Sequence, residues 1–456
     1  MNWRRGVVAL CAGGMAATLA ASVAGGQEWW DVTQHGIPEP SVATSLQHDG
    51  DPSGVRRRLG DRGVVFGLEY TNDLLSNVRG GLRTGTIYQG KVQGILTVDF
   101  GKLAGWEGLS LFANAFQIHN TGRIRRDYVG GVNTIAAIEA VPTTRLSELW
   151  LEQKFANGRA SVRAGQLAAD NEFFYSELST MFLQSDWPTI AALNLPSGGA
   201  AYPLSTPGIR FKLDPVKDVS LLVAVLNGDP AGPGSGDPEL RNRYGLNFRV
   251  NDPTFVIGEA QFLRNQSKQD TGLATALKLG GWGHFGQFDD MRYANDGSLL
   301  ANPAGSGVPL LHRGNFGVYA VIDQQLYRPA GGDAQSGVSV FGRVSVSSSD
   351  RNPISAQVDG GMVFAGLIPQ RPNDKFGASI EYARFSDAVR AFNRDTFALT
   401  GVAVPIRDHE TNLELTYMAQ IVPGWTVQPN LTFVWHAAGH ASRNATVVGA
   451  RSIVRY

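Results

Sequence analysis

The chain has one cysteine in 456 residues, Cys11, and it lies in the first stretch of the sequence. A mature protein without that stretch has no disulfide, no thiolate nucleophile and no cysteine metal site. Charge is also scarce. Asp, Glu, Lys and Arg make up 18% of the chain, against about 25% in soluble domains. The 40 Lys+Arg balance the 40 Asp+Glu, which excludes a basic nucleic-acid binder, and no nucleic-acid partner is expected. A hydrophobic content of 43% excludes a disordered chain. No long apolar run follows the N-terminal leader, which excludes a helical membrane protein.

Catalytic signatures are missing as well. No Gly-x-Ser-x-Gly element occurs, no His-Glu-x-x-His, and no phosphate-cradling glycine loop before a helix. His436 and His440 are four apart, but in a predicted loop rather than on a helix. No catalytic residue, cofactor or metal site is expected, and the chain does not read as an enzyme.

The first residues form an address. Arg4 and Arg5 precede the small, apolar Val7–Leu19, and Ser22-Val23-Ala24 offers a small-x-small cleavage site. This is the layout of a secretory signal peptide over residues 1–24. Cleavage after Ala24 removes Cys11.

Period-2 alternation then recurs through nearly the whole chain. Tyr88, Gly90, Val92, Gly94, Leu96, Val98 and Phe100 form one face, opposite Gln89, Lys91, Gln93, Thr97 and Asp99. Leu413, Leu415, Tyr417, Ala419 and Ile421 alternate with polar residues, as do Trp425, Val427, Leu431, Phe433 and Trp435. Similar faces occur around Tyr244–Val250, Val338–Val346, Phe376–Tyr382 and Thr446–Tyr456. The polar faces carry Gln, Asn, Thr, Glu and Arg, as a water-filled interior would. The runs are longer than the roughly 5–6 residues usual in soluble strands and match the about 9–11 of a tilted membrane-spanning strand.

Trp425 and Trp435 share one face at a separation of roughly 33 Å along a strand. Tilted near 40°, that separation spans about 25 Å of height, the distance between the two aromatic girdles of an outer-membrane barrel. Tyr456 ends the chain on the apolar face of its strand and joins the girdle set. Connections near the C-terminus alternate short (Val422-Pro423-Gly424, Pro369–Asp374) and long (Ser386–Glu410, His436–Asn444), the outer-membrane pattern. In the middle, Asn251–Thr254 and Leu263–Asp270 read as short and Gly286–Gly314 as long, which breaks the alternation.

Bacterial single-chain barrels have even strand numbers. The expectation is an all-β transmembrane antiparallel barrel of 16 strands, 18 being the alternative, with a water-filled lumen narrowed by inward-folded loops. Residues 25–60 are expected to be an N-terminal periplasmic segment and residues 61–456 the barrel.

Blocks spread along the chain resemble the carbohydrate-selective porin family, OprB. They include GVRRRLGDRGVVFGLEY (Gly54–Tyr70), GGLRTGTIYQG (Gly80–Gly90), RLSELWLEQKFANGRASVRAGQ (Arg145–Gln166), YPLSTPGIR (Tyr202–Arg210), GNFGVYAVIDQQLY (Gly314–Tyr327) and ETNLELTYMAQIVPGWTVQPN (Glu410–Asn430). Asp51-Pro52-Ser53-Gly54 departs from the tryptophan-glycine-glycine expected before the arginine-leucine stretch, and Tyr456 stands where phenylalanine is usual. The resemblance implies an outer-membrane channel, reached through the barrel-assembly machinery and embedded in outer-membrane lipid. It would admit monosaccharides and similar small solutes to the periplasm by diffusion. A barrel of general-diffusion, structural or enzymatic role without sugar selectivity is the alternative. Homo-oligomerisation is open.

One hairpin offers groups for a neutral, many-hydroxylated solute. Asn157-Gly158 signals a two-residue type I′ turn, which sets Glu152 opposite Arg163 and Trp150 opposite Gly165. Glu148, Trp150, Glu152 and Arg163 then face the lumen, and Gly165 leaves room for the Trp150 ring. Glu152–Arg163 reads either as solute contact or as a wall ion pair that holds register. The irregular segment Ala168–Gly208, with Asp170, Glu172 and Trp187, is a candidate constriction loop. Arg79 and Arg83, flanking Gly80-Gly81, are candidates to reach it. Arg343, Glu381, Glu414, Arg451 and Arg455 are expected as lumen-wall charges.

Overall fold

The computed structural model describes residues 33–34, 36–46, 50–184, 190–195, 198–267 and 269–456. The signal peptide, His35, His48 and Trp187 therefore lie outside the described residues. No helix among the described residues is long and apolar enough to cross a membrane.

Sixteen antiparallel strands close into one barrel. They are β1 (Val64–Gly80), β2 (Gly85–Asp99), β3 (Leu109–Asn120), β4 (Thr143–Phe155), β5 (Ala160–Leu167), β6 (Thr206–Val216), β7 (Val219–Asn227) and β8 (Thr254–Arg264), followed by β9 (Thr275–Ala294), β10 (Pro309–Tyr327), β11 (Gly337–Ser347), β12 (Ile354–Ala365), β13 (Lys375–Phe385), β14 (His409–Val422), β15 (Trp425–Trp435) and β16 (Ala445–Arg455). Each strand pairs with its sequence neighbours, and β16 closes on β1, with Arg455 opposite Glu69 and Arg451 opposite Asp73. The expected fold class and the count of 16 are both met.

Alternation places the two faces. On β7, Leu221, Val223 and Val225 are more than 40% exposed on the outside while Leu222, Ala224 and Leu226 are buried inside. On β9, Leu277 and Leu279 face out and Lys278 and His284 face in. The outer surface is thus an apolar band, and every strand has a hydrogen-bonded neighbour on each side, as hydrocarbon requires. Trp425 and Trp435, the first and last residues of β15, are both on the outer face, 38% and 39% exposed.

The first described residues and the C-terminus lie at one end. There the connections 217–218 and 423–424 are tight, whereas the opposite end carries 121–142, 168–205, 228–253 and 386–408. The interrupted alternation has a simple resolution. Tyr244–Val250 is not a strand: it belongs to the long 228–253 connection and runs along the rim, its Tyr244 carbonyl accepting from Leu146 N–H. Gly286–Gly314 is mostly not loop, since β9 and β10 run 20 and 19 residues and project beyond the wall. Two-residue periodicity cannot separate an extended rim segment from a ladder strand, because both put successive side chains on opposite sides.

Ser41, Gly50 and Arg56 cap the end bearing the C-terminus. Ser41 Oγ donates to the Arg455 carbonyl at 3.4 Å, and Arg56 lies 4.9 Å from the Tyr456 ring. Tyr456 Oη donates to the Gly50 carbonyl at 3.2 Å.

Gly165 is the tightest point of the β4–β5 hairpin. A Cβ there would lie 2.2 Å from the Leu149 carbonyl oxygen, and φ is +147°. Gly165→Ala is expected to cost roughly 1–3 kcal/mol, read as a lower unfolding temperature in detergent from heat-modified gel migration. An unchanged midpoint would refute it.

Candidate functional site

The β4–β5 hairpin forms as the Asn157-Gly158 turn dictates. Asn157 and Gly158 both have positive φ, 57° and 84°, and the register sets Glu152 opposite Arg163 and Trp150 opposite Gly165. A bulge where β4 meets β3 adds a residue, Ser147, between the pairs Asn114–Glu148 and Ala115–Leu146. The bulge shifts the phase of β4, so Arg145, Ser147, Glu148 and Glu152 are all buried inward.

Four side chains from four elements meet here: three strands and the connection between two of them. Glu152 reaches Arg163 at 3.3 Å and Arg210 at 2.9 Å. Glu172, from the 168–205 connection, reaches Arg210 at 2.9 Å and Arg163 at 3.4 Å. Arg210 also donates to Ser161 Oγ at 2.7 Å. Arg163 and Arg210 are directly opposite on β5 and β6. Like charges so placed are destabilising, and the two carboxylates supply the compensation. Burial opposes ionisation of Glu172, but Arg163 and Arg210 beside it outweigh that and hold its carboxyl below the usual carboxylate value.

Trp150 supports this cluster from the side. The Arg163 guanidinium lies 3.7 Å from the Trp150 ring centroid, and Phe112, its cross-strand neighbour on β3, stacks at 5.0 Å with a 23° interplanar angle. The ring is therefore taken on its β5 and β3 sides by protein. Arg163, with 16% of its side chain exposed, is more open than Arg210 at 2%.

The remaining expected residues divide. Glu148 holds the start of the 168–205 connection, accepting from Ala168 N–H at 3.2 Å and Asn171 Nδ2 at 2.6 Å. Asp170 accepts from Tyr202 N–H at 2.7 Å. Arg79 is exposed at the loop end of β1. Arg83 lies over Tyr128 at 4.2 Å and donates to the Asp127 carbonyl at 3.1 Å. Neither arginine pairs with the Glu152 cluster. Arg343 pairs with Asp359 at 2.8 Å, Arg451 with Asp73 at 2.7 Å and Arg455 with Glu69 at 2.7 Å. Glu381 is buried on β13, between Asp359 and Asn412. Glu414 accepts from Leu183 N–H at 2.8 Å and Asn430 Nδ2 at 2.6 Å.

The described parts of the 168–205 connection thus lie inside the barrel, tied to far strands. Phe174 N–H donates to Glu259, Glu177 N–H to Asp323, and Lys278 Nζ to the Tyr175 carbonyl. Beneath it, inward-facing Phe255, Ile257, Trp282, Tyr319 and Val321 pack against Phe173 and Phe174. Sequence reasoning missed Arg210, Glu259, Asp323 and Lys278. Arg210 had a signal: it alternates with Ile209 and Phe211, which are exposed on the outside.

A family model described as "Carbohydrate-selective porin, OprB family" matches residues 83–456. Porin B of Pseudomonas aeruginosa is 25% identical over 430 residues, covering 88% of this chain and 89% of that protein. The high-pH structure of Pseudomonas putida OprB superposes with a TM-score of 0.81 at 21% identity, covering 91% of this chain and all of that one. The low-pH structure of the same protein gives 0.51 at 18% identity, covering 89% and 97%.

The depressed Glu172 carboxyl gives a pH test. The stability that Glu172 contributes is fully present above about pH 4.5, its ordinary value, and is lost as pH falls through its folded value. Wild type and Glu172→Gln should differ in unfolding midpoint at pH 7, and the gap should shrink as pH falls below about 4.5. A gap that does not shrink on acidification would show that the carboxylate charge is not the cause. By the family match over most of its length and by its closed sixteen-stranded barrel, the chain belongs to the OprB family of carbohydrate-selective porins, channel proteins of the outer membrane.

Proposed function

We propose that this barrel passes small neutral carbohydrates, monosaccharides of the glucose type among them, by diffusion into the periplasm. The observation that carries the proposal is the convergence of an inward-folded connection and a charge-balanced Arg163–Arg210–Glu152–Glu172 cluster on one wall. Two guanidinium groups and two carboxylates supply the planar donors and acceptors that bind vicinal hydroxyls. Their charges cancel, which suits an uncharged solute. Arg163 is the more open guanidinium and the leading contact; Glu152, Glu172 and the Trp150 ring hold it in place. Glu148 and Asp170 shape the constriction by fixing the connection that forms it.

On this reading the end with the long connections faces outward and residues 25–60 lie on the periplasmic side, as short-turn and long-loop asymmetry indicates. Arg79 and Arg83 then belong to the outer mouth.

The test is single-channel current in planar bilayers with glucose added. Glucose should block ion current in wild type. Arg163→Met should weaken that block about tenfold, the value of losing one charged hydrogen bond, while heat-modified migration shows the barrel intact. Open current that no sugar blocks would favour a general-diffusion pore. Unchanged block in Arg163→Met would make the arginine a wall residue.

A further inference from the structure

Three side chains converge at the loop-bearing end of the barrel, apart from the lumen cluster. Asp408 closes the 386–408 connection, His409 opens β14, and His436 follows the last residue of β15. One ligand atom from each lies within 4.8 Å of the others. Asp408 Oδ2 is 3.2 Å from His409 Nδ1, and Asp408 Oδ1 is 3.4 Å from His436 Nδ1. Charge-assisted N–H···O bonds usually close to about 2.7–2.9 Å. Tetrahedral coordination with bonds of about 2.0–2.1 Å has ligand–ligand edges of about 3.3 Å. The two separations start from different carboxylate oxygens and the longer one also serves as a hydrogen bond; both lie near that edge length, which puts the carboxylate and both imidazoles within reach of one ion.

The two rings are held in place. His409 stacks on Tyr382 at 5.2 Å and 26°, and the His409 and His436 ring centroids are 4.4 Å apart. His436 has φ 56° and ψ 43°, the left-handed region that non-glycine residues seldom occupy. Its N–H donates to Asn444 Oδ1 at 3.1 Å, which fixes that conformation. Two nearby cations are directed elsewhere: Arg384 pairs with Asp387 at 2.8 Å, and Arg407 donates to Asn393 Oδ1 at 3.4 Å and lies over Phe385. The three side chains remain 28–40% exposed, so an ion reaches them from water and keeps open positions for water. Two imidazoles with one carboxylate suit Zn²⁺, Cu²⁺ or Ni²⁺ rather than the hard, oxygen-seeking Mg²⁺ or Ca²⁺.

We propose that Asp408, His409 and His436 form a transition-metal site that ties the 386–408 and 436–444 connections together at the mouth of the barrel. His436 and His440, four apart in a loop and not expected to bind a metal, are not the pair the fold assembles: His409 comes from another strand. The site is independent of what the lumen passes.

The test uses the untagged protein in detergent, titrated with Zn²⁺ by calorimetry and with Co²⁺ by visible absorption. Wild type should take up one ion per chain. His409→Ala and His436→Ala should each weaken uptake by about tenfold or more, since even outer-shell changes at metal sites cost that much. His440→Ala should leave it unchanged. Asp408→Asn, which keeps the side-chain shape, should also weaken uptake and covers the case in which His436→Ala disturbs its loop. Wild-type uptake no greater than that of the His409→Ala/His436→Ala double variant would overturn the proposal. So would a loss in His440→Ala equal to that in His409→Ala.

Discussion

The governing constraint is that backbone amides in hydrocarbon must find partners, each unpaired group costing several kcal/mol. A sheet meets it only by closing, and closure commits the rest of the chain. Sixteen strands must each be apolar outward, and β16 must find β1 across nearly the full length of the sequence. At that seam Arg451–Asp73 and Arg455–Glu69 are directly opposed ion pairs, the first buried and the second partly so. Their energetic value is modest after desolvation. Their placement suits register, since a slip would leave two arginines and two carboxylates facing the wrong partners.

Closure leaves an interior that must then be filled. Here the filling comes from long connections rather than wall side chains alone, the 168–205 connection with residues of 121–142 packed against its Leu183, and they are held largely by carboxylates that accept backbone N–H groups. Glu148, Glu259, Asp323 and Glu414 do this from four different strands. A carboxylate has several lone pairs and no donor, so it satisfies consecutive amides of an irregular segment where a ladder strand cannot. Under the 168–205 connection the wall changes character. β7 is apolar on both faces because its inner face meets loop rather than water.

Much of the fold was legible in the sequence because the bilayer imposes a strict pattern. Strand length, alternation and the Trp425–Trp435 spacing all follow from membrane thickness. The Asn157-Gly158 turn fixed its hairpin register because positive φ at two successive residues admits few alternatives. What was not legible has equally plain causes. Tyr244–Val250 alternates like a strand but has no ladder partner, and partners are a property of the whole sheet. Arg210 was hidden because it lies about fifty residues from the hairpin it completes, and only strand order brings β6 beside β5. Glu414 looked like a wall charge because nothing local reveals that Leu183 and Gln184 reach across to it.

The lumen cluster illustrates why charge can serve a neutral cargo. Arg163 and Arg210 placed opposite each other would repel, and either carboxylate alone would leave a net charge. With Glu152 on the wall and Glu172 on the connection, the four groups cancel. Glu172 also makes the arrangement conditional on the connection being folded inward. Arg163 and Glu172 keep some contact with solvent while Arg210 and Glu152 are buried, so the Arg163–Glu172 pair is the one exchangeable for hydroxyl partners at lower cost and the Arg210–Glu152 bridge is structural. Under the proposed function, such a site would recognise a solute by geometry rather than by field, which is what opposed charges offer in a barrel whose overall charge is balanced.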